Sequence, residues 1–144
     1  MSFVESSGAG YPNYPAPVED QLAPTVNRFM GDDWTYTIVF KTSGGSPIDM
    51  SSYTFTSSLI IENPNYTTYA ISGANGSVGA SQAVIGIITV NVARVLTATI
   101  PYDVDSVAVP TSWQSIYNTR LALMGAAGSA ILTRVIIPTR VIRQ

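Results

Sequence analysis

Two stretches of alternating side chains, residues 34–41 and 53–61, constrain the fold of this chain more than any other feature. The first places four large apolar residues on one side of the pattern: Trp34, Tyr36, Ile38 and Phe40. The second alternates in the same way, with Tyr53, Phe55, Ser57, Leu59 and Ile61 on one side. Aromatic and β-branched residues at period two are typical of strands that bury one face. Both stretches are therefore predicted to be strands that contribute to one core.

The segment between the two stretches carries turn chemistry. Gly44 and Gly45 permit positive φ, and Pro47 fixes its own φ, so the chain reverses direction there. These residues leave two arrangements open, a β-hairpin in which the two strands pair and a β-arch in which they do not.

The remaining sequence contains several more strand-like runs and no helix longer than a turn or two. The runs with strand character are residues 66–71, 83–92, 95–100, 115–124 and 129–137. In residues 95–100, Leu96, Ala98 and Ile100 are expected to face the core. Residues 72–82 are expected to form a surface loop or a loose hairpin tip, residues 125–128 a tight hairpin connection, and Pro138 a bulge or sheet edge before a tail strand. The pattern predicts a single all-β domain, a sandwich or barrel.

Composition excludes several classes of function. The chain has no cysteine and no histidine, so it can form no disulfide or thiolate zinc site and lacks the usual general base. We therefore expect no cofactor, no metal and no enzymatic activity. Only 11% of the residues are charged, and the single lysine and few arginines form no basic cluster for nucleic acid.

The same composition favours assembly. Low charge together with 46% hydrophobic residues indicates a surface that contacts other proteins, including further copies of this chain. No apolar run approaches the roughly 18–20 residues that span a bilayer, so no membrane association is expected. Residues 1–25 show neither the basic nor the apolar region of a signal peptide.

Residues 1–27 differ from the rest and are predicted to be an extended arm, with the sandwich in residues 28–144. Alternating prolines favour polyproline II and forbid a helix. One interpretation is a disordered leader. The other is an arm on a neighbouring subunit with five contact residues, Tyr11, Pro12, Tyr14, Pro15 and Pro17.

The candidate acidic sites have structural explanations. Asp32 and Asp33 are adjacent and point to opposite faces of a strand, so a polar strand entry, with Asp32 accepting backbone N–H groups, is favoured over a shared metal site. The Asp103–Asp105 pair lacks the other ligands of a calcium loop. Asp49 is a candidate for a partly buried ion pair with one of three arginines, Arg28, Arg120 or Arg134.

The aromatic residues allow two readings. They could form a sugar-stacking platform, although strand spacing favours a place in the core, where Trp113 would plug one end. The set comprises Trp34, Tyr36, Phe40, Tyr53, Phe55, Trp113 and Tyr117.

Several short motifs resemble a known family. They are Gly31 to Thr37, Gly45 to Phe55 with its Gly-Ser-Pro-Ile-Asp turn, Tyr117 to Leu121, and the glycine hairpin from Gly128 to Arg140. Together they resemble the immunoglobulin-like β-sandwich at the N-terminus of bacteriophage baseplate upper proteins, which also occurs as small stand-alone tail-region proteins.

The resemblance implies an antiparallel immunoglobulin-like sandwich and a non-enzymatic role in a virion. It makes a group of residues determinants of the fold rather than of catalysis: Gly31, Asp32, Trp34, Pro47, Asp49, Tyr53, Trp113 and Tyr117. The expected function is a structural protein of the tail or baseplate region, made in the host cytoplasm and bound to other virion proteins. The alternatives are a capsid decoration protein and a host-surface carbohydrate-binding module.

Overall fold

A computed structural model describes residues 20–62, 66–102, 118–128 and 130–143. Its strands are β1 Asp20–Leu22, β2 Val26–Phe29, β3 Trp34–Val39, β4 Thr54–Ile61, β5 Thr67–Ala70, β6 Gly76–Gln82, β7 Ile87–Val92, β8 Thr119–Ala127 and β9 Ala130–Ile142. Short 3₁₀ turns precede β6 (Gly73–Asn75) and follow it (Ala83–Ile85). A single α-helical turn, α1, spans Arg94–Thr97.

The strands form two sheets. The larger sheet has the order β1-β9-β8-β4-β5, and β2 also pairs with β9; the smaller sheet has the order β3-β7-β6. All pairings are antiparallel except those of β1 and β2, which run parallel to β9. The first and last described strands are therefore neighbours in one sheet.

The buried faces of the two sheets pack against each other. The core cluster combines side chains of β3 and β7 in the smaller sheet with side chains of β4, β8 and β9 in the larger one. A buried hydrogen bond joins the sheets directly, because the Tyr36 hydroxyl lies 2.8 Å from Thr139 Oγ1. The prediction of an all-β sandwich is thus confirmed.

The turn between the two alternating stretches is a β-arch. The strands β3 and β4 lie in different sheets, and a single bridge between Lys41 and Pro47 closes the turn. The predicted alternation is confirmed, since Trp34, Tyr36, Ile38 and Phe40 are fully buried and face the apolar side of β4. A hairpin would have placed both apolar faces on one sheet, whereas the arch lets them face each other across the core.

Several sequence assignments were wrong. Residues 76–82 of the predicted loop form β6, because β7 supplies a ladder partner for this glycine- and serine-rich segment. Residues 95–100 were predicted as a strand, but residues 95–97 belong to the helical turn α1 and residues 98–100 follow it as a turn. Leu96 and Ile100 are buried as expected, while Ala98 is exposed and Thr97 is buried.

Pro138 forms no bulge, but on one side of β9 it lies at a local gap in the strand pairing. It pairs with Arg120 in unbroken register, and β9 is flanked on both sides. The parallel partner of β9 changes at this point from β1, which reaches Ile136, to β2, which begins at Thr139. Proline is tolerated in a central strand here because its missing N–H falls where no parallel strand is paired. The register shift lies instead between Gly125 and Ala126 on β8.

Two further boundaries differ from the prediction. Residues 20–27, assigned to the arm, contain β1 and part of β2, so the sandwich begins before Arg28. The β8–β9 hairpin is present, but residues 125–127 belong to β8 instead of its connection. The predicted arm residues Tyr11, Pro12, Tyr14, Pro15 and Pro17 lie outside the described residues, as do Asp103, Asp105, Trp113 and Tyr117.

Candidate functional site

The turn that precedes β3 is a structural junction. Gly31 adopts a φ of +90°, which a residue with a side chain rarely adopts, and the Asp32 N–H donates to the Phe29 carbonyl at 3.2 Å. The buried Trp34 donates its indole N–H to the same carbonyl at 2.7 Å. The Thr97 hydroxyl donates to the Asp32 carbonyl at 2.6 Å and ties α1 to this turn. These predicted fold determinants thus connect β2, β3 and α1.

The neighbouring carboxylate, Asp33, binds α1. It accepts the Arg94 backbone N–H at 2.8 Å and lies 3.3 Å from the Arg94 guanidinium. The backbone hydrogen bond is the main reason that the pKa of Asp33 is lowered, and both side chains are largely exposed. No group of three or more His, Cys, Asp or Glu residues that could hold a metal occurs among the described residues. The Asp33 carboxylate therefore ties α1 to the start of β3.

Asp49 stabilises the turn into β4 and forms no ion pair with the three arginines considered above. Its Oδ1 accepts both the backbone N–H and the hydroxyl of Ser51. The side-chain hydrogen bond, followed by the backbone one, lowers the pKa of Asp49. The Tyr53 N–H donates to Met50 at 3.1 Å, and Tyr53 is half-buried against the core. The contact between Asp49 and Ser51 forms an Asx-type turn, in which the aspartate side chain replaces a backbone acceptor.

Two of the arginines have aromatic partners instead. The Arg28 guanidinium lies 4.7 Å from the centre of the Tyr36 ring and donates to the Thr35 carbonyl at 2.7 Å. Arg120 forms an ion pair with Glu62 and lies 5.7 Å from the centre of the Tyr66 ring. Arg28 thereby covers the outer edge of β3 with a charged group.

The aromatic residues of the arch do not form a sugar platform. Trp34, Tyr36 and Phe40 are fully buried, and Tyr53 and Phe55 pack on the core with their ring centres 6.3 Å apart. Their role is to fill the space between the sheets.

The exposed apolar side chains lie elsewhere. In the described parts of the chain, six large hydrophobic residues are exposed by 44–62%: Phe29, Tyr66, Val84, Ile85, Val95 and Tyr102. Val84 and Ile85 are consecutive and lie in the 3₁₀ turn that follows β6. Exposed apolar residues that cluster are a mark of protein–protein contact.

The stretch of sequence that contains these two residues carries no charge. No Asp, Glu, Lys or Arg occurs between Glu62 and Arg94, a segment that contains β5, β6 and β7. Sequence reasoning missed this region because the average charge of the chain conceals where the charges lie. The run of uncharged residues itself was the available signal.

Strand β6 is the free edge of this region. Among the described residues it pairs only with β7, and its residues are small and mostly exposed: Gly76, Ser77, Val78, Gly79, Ala80, Ser81 and Gln82. An extra residue on β6 shifts the register between Gly79 and Gln82. The regular part of the edge is therefore the segment before this bulge.

A crevice of about 400 Å³ opens beside β6, between the two sheets. Its walls include Phe55 of β4, the buried Ile71, and the half-buried Val78 of β6. A second cavity of about 370 Å³ lies at Met30, Ala98 and Tyr102, where the Arg143 guanidinium is 5.4 Å from the centre of the Tyr102 ring. Neither cavity brings together an acid, a base and a nucleophile among the described residues.

None of the helices in the described parts of the chain is long and apolar enough to cross a membrane. No protein-family model matches the sequence, and no curated protein matches it either.

Proposed function

We propose that this chain is a non-enzymatic structural protein of a bacteriophage particle. It lies in the tail or baseplate region and mediates contacts between copies of itself and other virion proteins. The arm with Tyr11, Pro12, Tyr14, Pro15 and Pro17 extends these contacts onto a neighbouring subunit.

The strand order supports the immunoglobulin-like part of this proposal. In such domains, strands B, E and D belong to one sheet and strands C, F and G to the other, with C′ beside C in the variable type. With β3 taken as the second strand of that scheme, β3-β7-β6 has the order B-E-D and β9-β8-β4-β5 has the order G-F-C-C′. The departure is at the start, where β1 and β2 pair with β9 and not with β3.

A fold alone does not imply a function, so the assembly role rests on the surface. The observation that carries it is the charge-free region from residue 63 to residue 93, which includes the uncharged edge β6 and the exposed Val84 and Ile85. Natural sheet edges are usually protected by charges, proline or short length. An unprotected edge next to exposed apolar side chains is typical of a surface that another protein covers.

The side-chain chemistry supports a non-enzymatic role. The chain has no histidine or cysteine to act as base or nucleophile. The Asp33 carboxylate accepts a hydrogen bond from α1 and the Asp49 carboxylate accepts hydrogen bonds within a turn, and the Ser57 hydroxyl is buried against the Ala122 carbonyl at 2.8 Å. These groups stabilise the fold.

The test is to locate the protein in purified particles of the phage that encodes it. We expect peptides of this chain in the mass spectrum of gradient-purified particles, and antibody–gold labels on the tail or baseplate in micrographs. Particles that lack the gene product serve as the control. Labels on the head would support the capsid-decoration alternative, and absence of the protein from particles would refute a virion role.

A further inference from the structure

Strand β6 differs from the other edge of its sheet. At β3, the Arg28 guanidinium donates a hydrogen bond to the Thr35 carbonyl, and the charged Lys41 follows the strand. On β6, no charged residue or proline is present, and among the described residues only β7 pairs with it. The larger sheet has at one end β5, which has four residues and lies beside the Arg120–Glu62 pair, and at the other end β1 and β2, which have three and four residues. The edge with the least protection is thus β6.

We propose that β6 pairs antiparallel with β6 of a second copy of this chain, across a two-fold axis at Val78. This inference deepens the proposed assembly function and rests on it. In each strand every second residue directs its N–H and C=O away from its existing neighbour, so two free edges can complete each other's hydrogen bonds. The two small sheets then become one continuous six-stranded sheet.

The second copy is the occupant because a neutral edge is compatible with itself. A two-fold contact brings each patch against the same patch of its partner, so any net charge in the patch would repel its copy. The whole segment from residue 63 to residue 93 carries no charge. The small side chains of Gly76, Ser77 and Gly79 also permit close approach of the two strands.

The axis lies at Val78 because core-facing residues of one β6 must pair with core-facing residues of the other. Paired residues in an antiparallel ladder point to the same face. Val78 pairs with the buried Val90 and faces the core, whereas Ser77 and Gly79 face outward. An axis at Val78 places Val78 opposite the partner's Val78 and Ser77 opposite the partner's Gly79, within the regular part of β6 before the bulge.

This register also covers apolar surface. Val78 forms part of the mouth of the crevice of about 400 Å³ whose walls include Phe55 and Ile71. The axis brings the two crevices together, so each half-buried Val78 packs against the other. The exposed Val84 and Ile85 extend the same edge. Because the paired segment is short, we expect a dissociation constant on the order of micromolar.

The experiment measures self-association of the full chain by sedimentation velocity over a range of concentrations. We expect a monomer–dimer equilibrium for the natural chain. Val78→Lys and Val78→Glu should each weaken it about tenfold or more, because like charges then lie directly opposite. An equimolar mixture of the two variants should recover the dimer, since Lys then faces Glu.

The control is Val39→Lys, the same substitution at a half-buried valine on the opposite edge of the same sheet. It should leave the association unchanged. Circular dichroism melts check that each variant folds. If Val78→Lys or Val78→Glu is unfolded, Ser77→Lys and Ser77→Glu replace them, because Ser77 is exposed and sits diagonally across from its own copy.

Three results would overturn the proposal: a monomer at all concentrations, a dimer that Val78→Lys does not weaken, or no recovery in the mixture. A dimer lost on deletion of residues 1–19 but not with Val78→Lys would indicate that the neighbour's N-terminal segment covers the edge. A chain that is monomeric in solution but present in purified particles would refute the β6 contact and leave the virion role standing. A chain that forms the β6 dimer in solution but is absent from purified particles would support the β6 contact and refute the virion role.

Discussion

Alkaline pH should destabilise this protein through one tyrosine. Tyr36 is fully buried between the sheets, and its hydroxyl lies 2.8 Å from Thr139 Oγ1. Burial raises the pKa of Tyr36 from 10.0 to about 12, while the hydrogen bond to Thr139 and the charge of Arg28 act in the opposite direction. The dominant cause is the cost of placing a phenolate in an apolar core.

The sign and size of the effect follow from this difference. In the unfolded chain the phenol loses its proton near its ordinary pKa of 10.0, and in the folded chain only near about 12. The contribution of Tyr36 to stability is therefore complete below pH 10 and declines as the pH rises toward 12. A difference of about two pKa units corresponds to roughly 3 kcal/mol of lost unfolding free energy.

The substitution Tyr36→Phe separates this titration from all others. At neutral pH the variant should be less stable by about 1 kcal/mol, because it loses one buried hydrogen bond. Above pH 10 it should lose less stability than the natural chain, since phenylalanine does not titrate. The two curves of unfolding free energy against pH should therefore cross between about pH 10 and about pH 12.

Urea unfolding followed by circular dichroism, at steps from about pH 8 to about pH 12, measures both curves. The matched control is Tyr66→Phe, which removes a phenol that is exposed by 62%. A Tyr36→Phe curve that runs parallel to that of the natural chain would refute the reasoning, because it would show that the buried phenol titrates alike in the folded and unfolded states.

Two further substitutions test the packing of the fold. Gly86→Ala should cost about 3 kcal/mol or more, because its φ is +79° and the new methyl group would lie 2.4 Å from the Phe40 carbonyl oxygen. Gly45→Ala, at a similar φ but with open space around it, should cost only about 1–2 kcal/mol in the same urea titration. Leu59→Ala should cost about 2–5 kcal/mol by opening a cavity in the core, and thermal melts should show no comparable change for Val95→Ala, which is exposed by 61%.

The sequence correctly predicted the elements whose local pattern of side chains is compatible with only one type of secondary structure. The alternation in β3 and β4 matches the buried faces residue by residue, because large side chains at period two suit only a pleated strand. The turn residues at Gly44 to Pro47 fixed the reversal of the chain but not the sheet in which each strand would pair. That choice depends on β7 and β8, which lie far along the chain.

The errors arose where two structures satisfy one pattern. Leu96 and Ile100 are four residues apart, a spacing that places both on one face of a strand and on one face of a helix. The buried Thr97 fits only the helical turn, and Asp33, which binds the Arg94 N–H, is remote in sequence. In β6 the low strand propensity of glycine and serine was outweighed by the partner strand β7.

The candidate surface could be read from the sequence only in part. Low overall charge predicted an assembly surface, but the location of the charge-free edge required the topology that puts β6 at the rim of its sheet. The protection of the opposite edge, β3, could not be predicted either, since no sequence pattern indicates that the Arg28 guanidinium reaches the Thr35 carbonyl.

The parallel pairing of β1 and β2 with β9 has a consequence for biosynthesis. A ribosome makes residues 20–29 long before residues 134–142, which are their ladder partners. During that interval the early segment has no native neighbour, and closing so large a loop is slow. Completion of the larger sheet must therefore wait until residues 134–142 have left the ribosome, and until then a newly made chain can exchange this segment with another nascent copy.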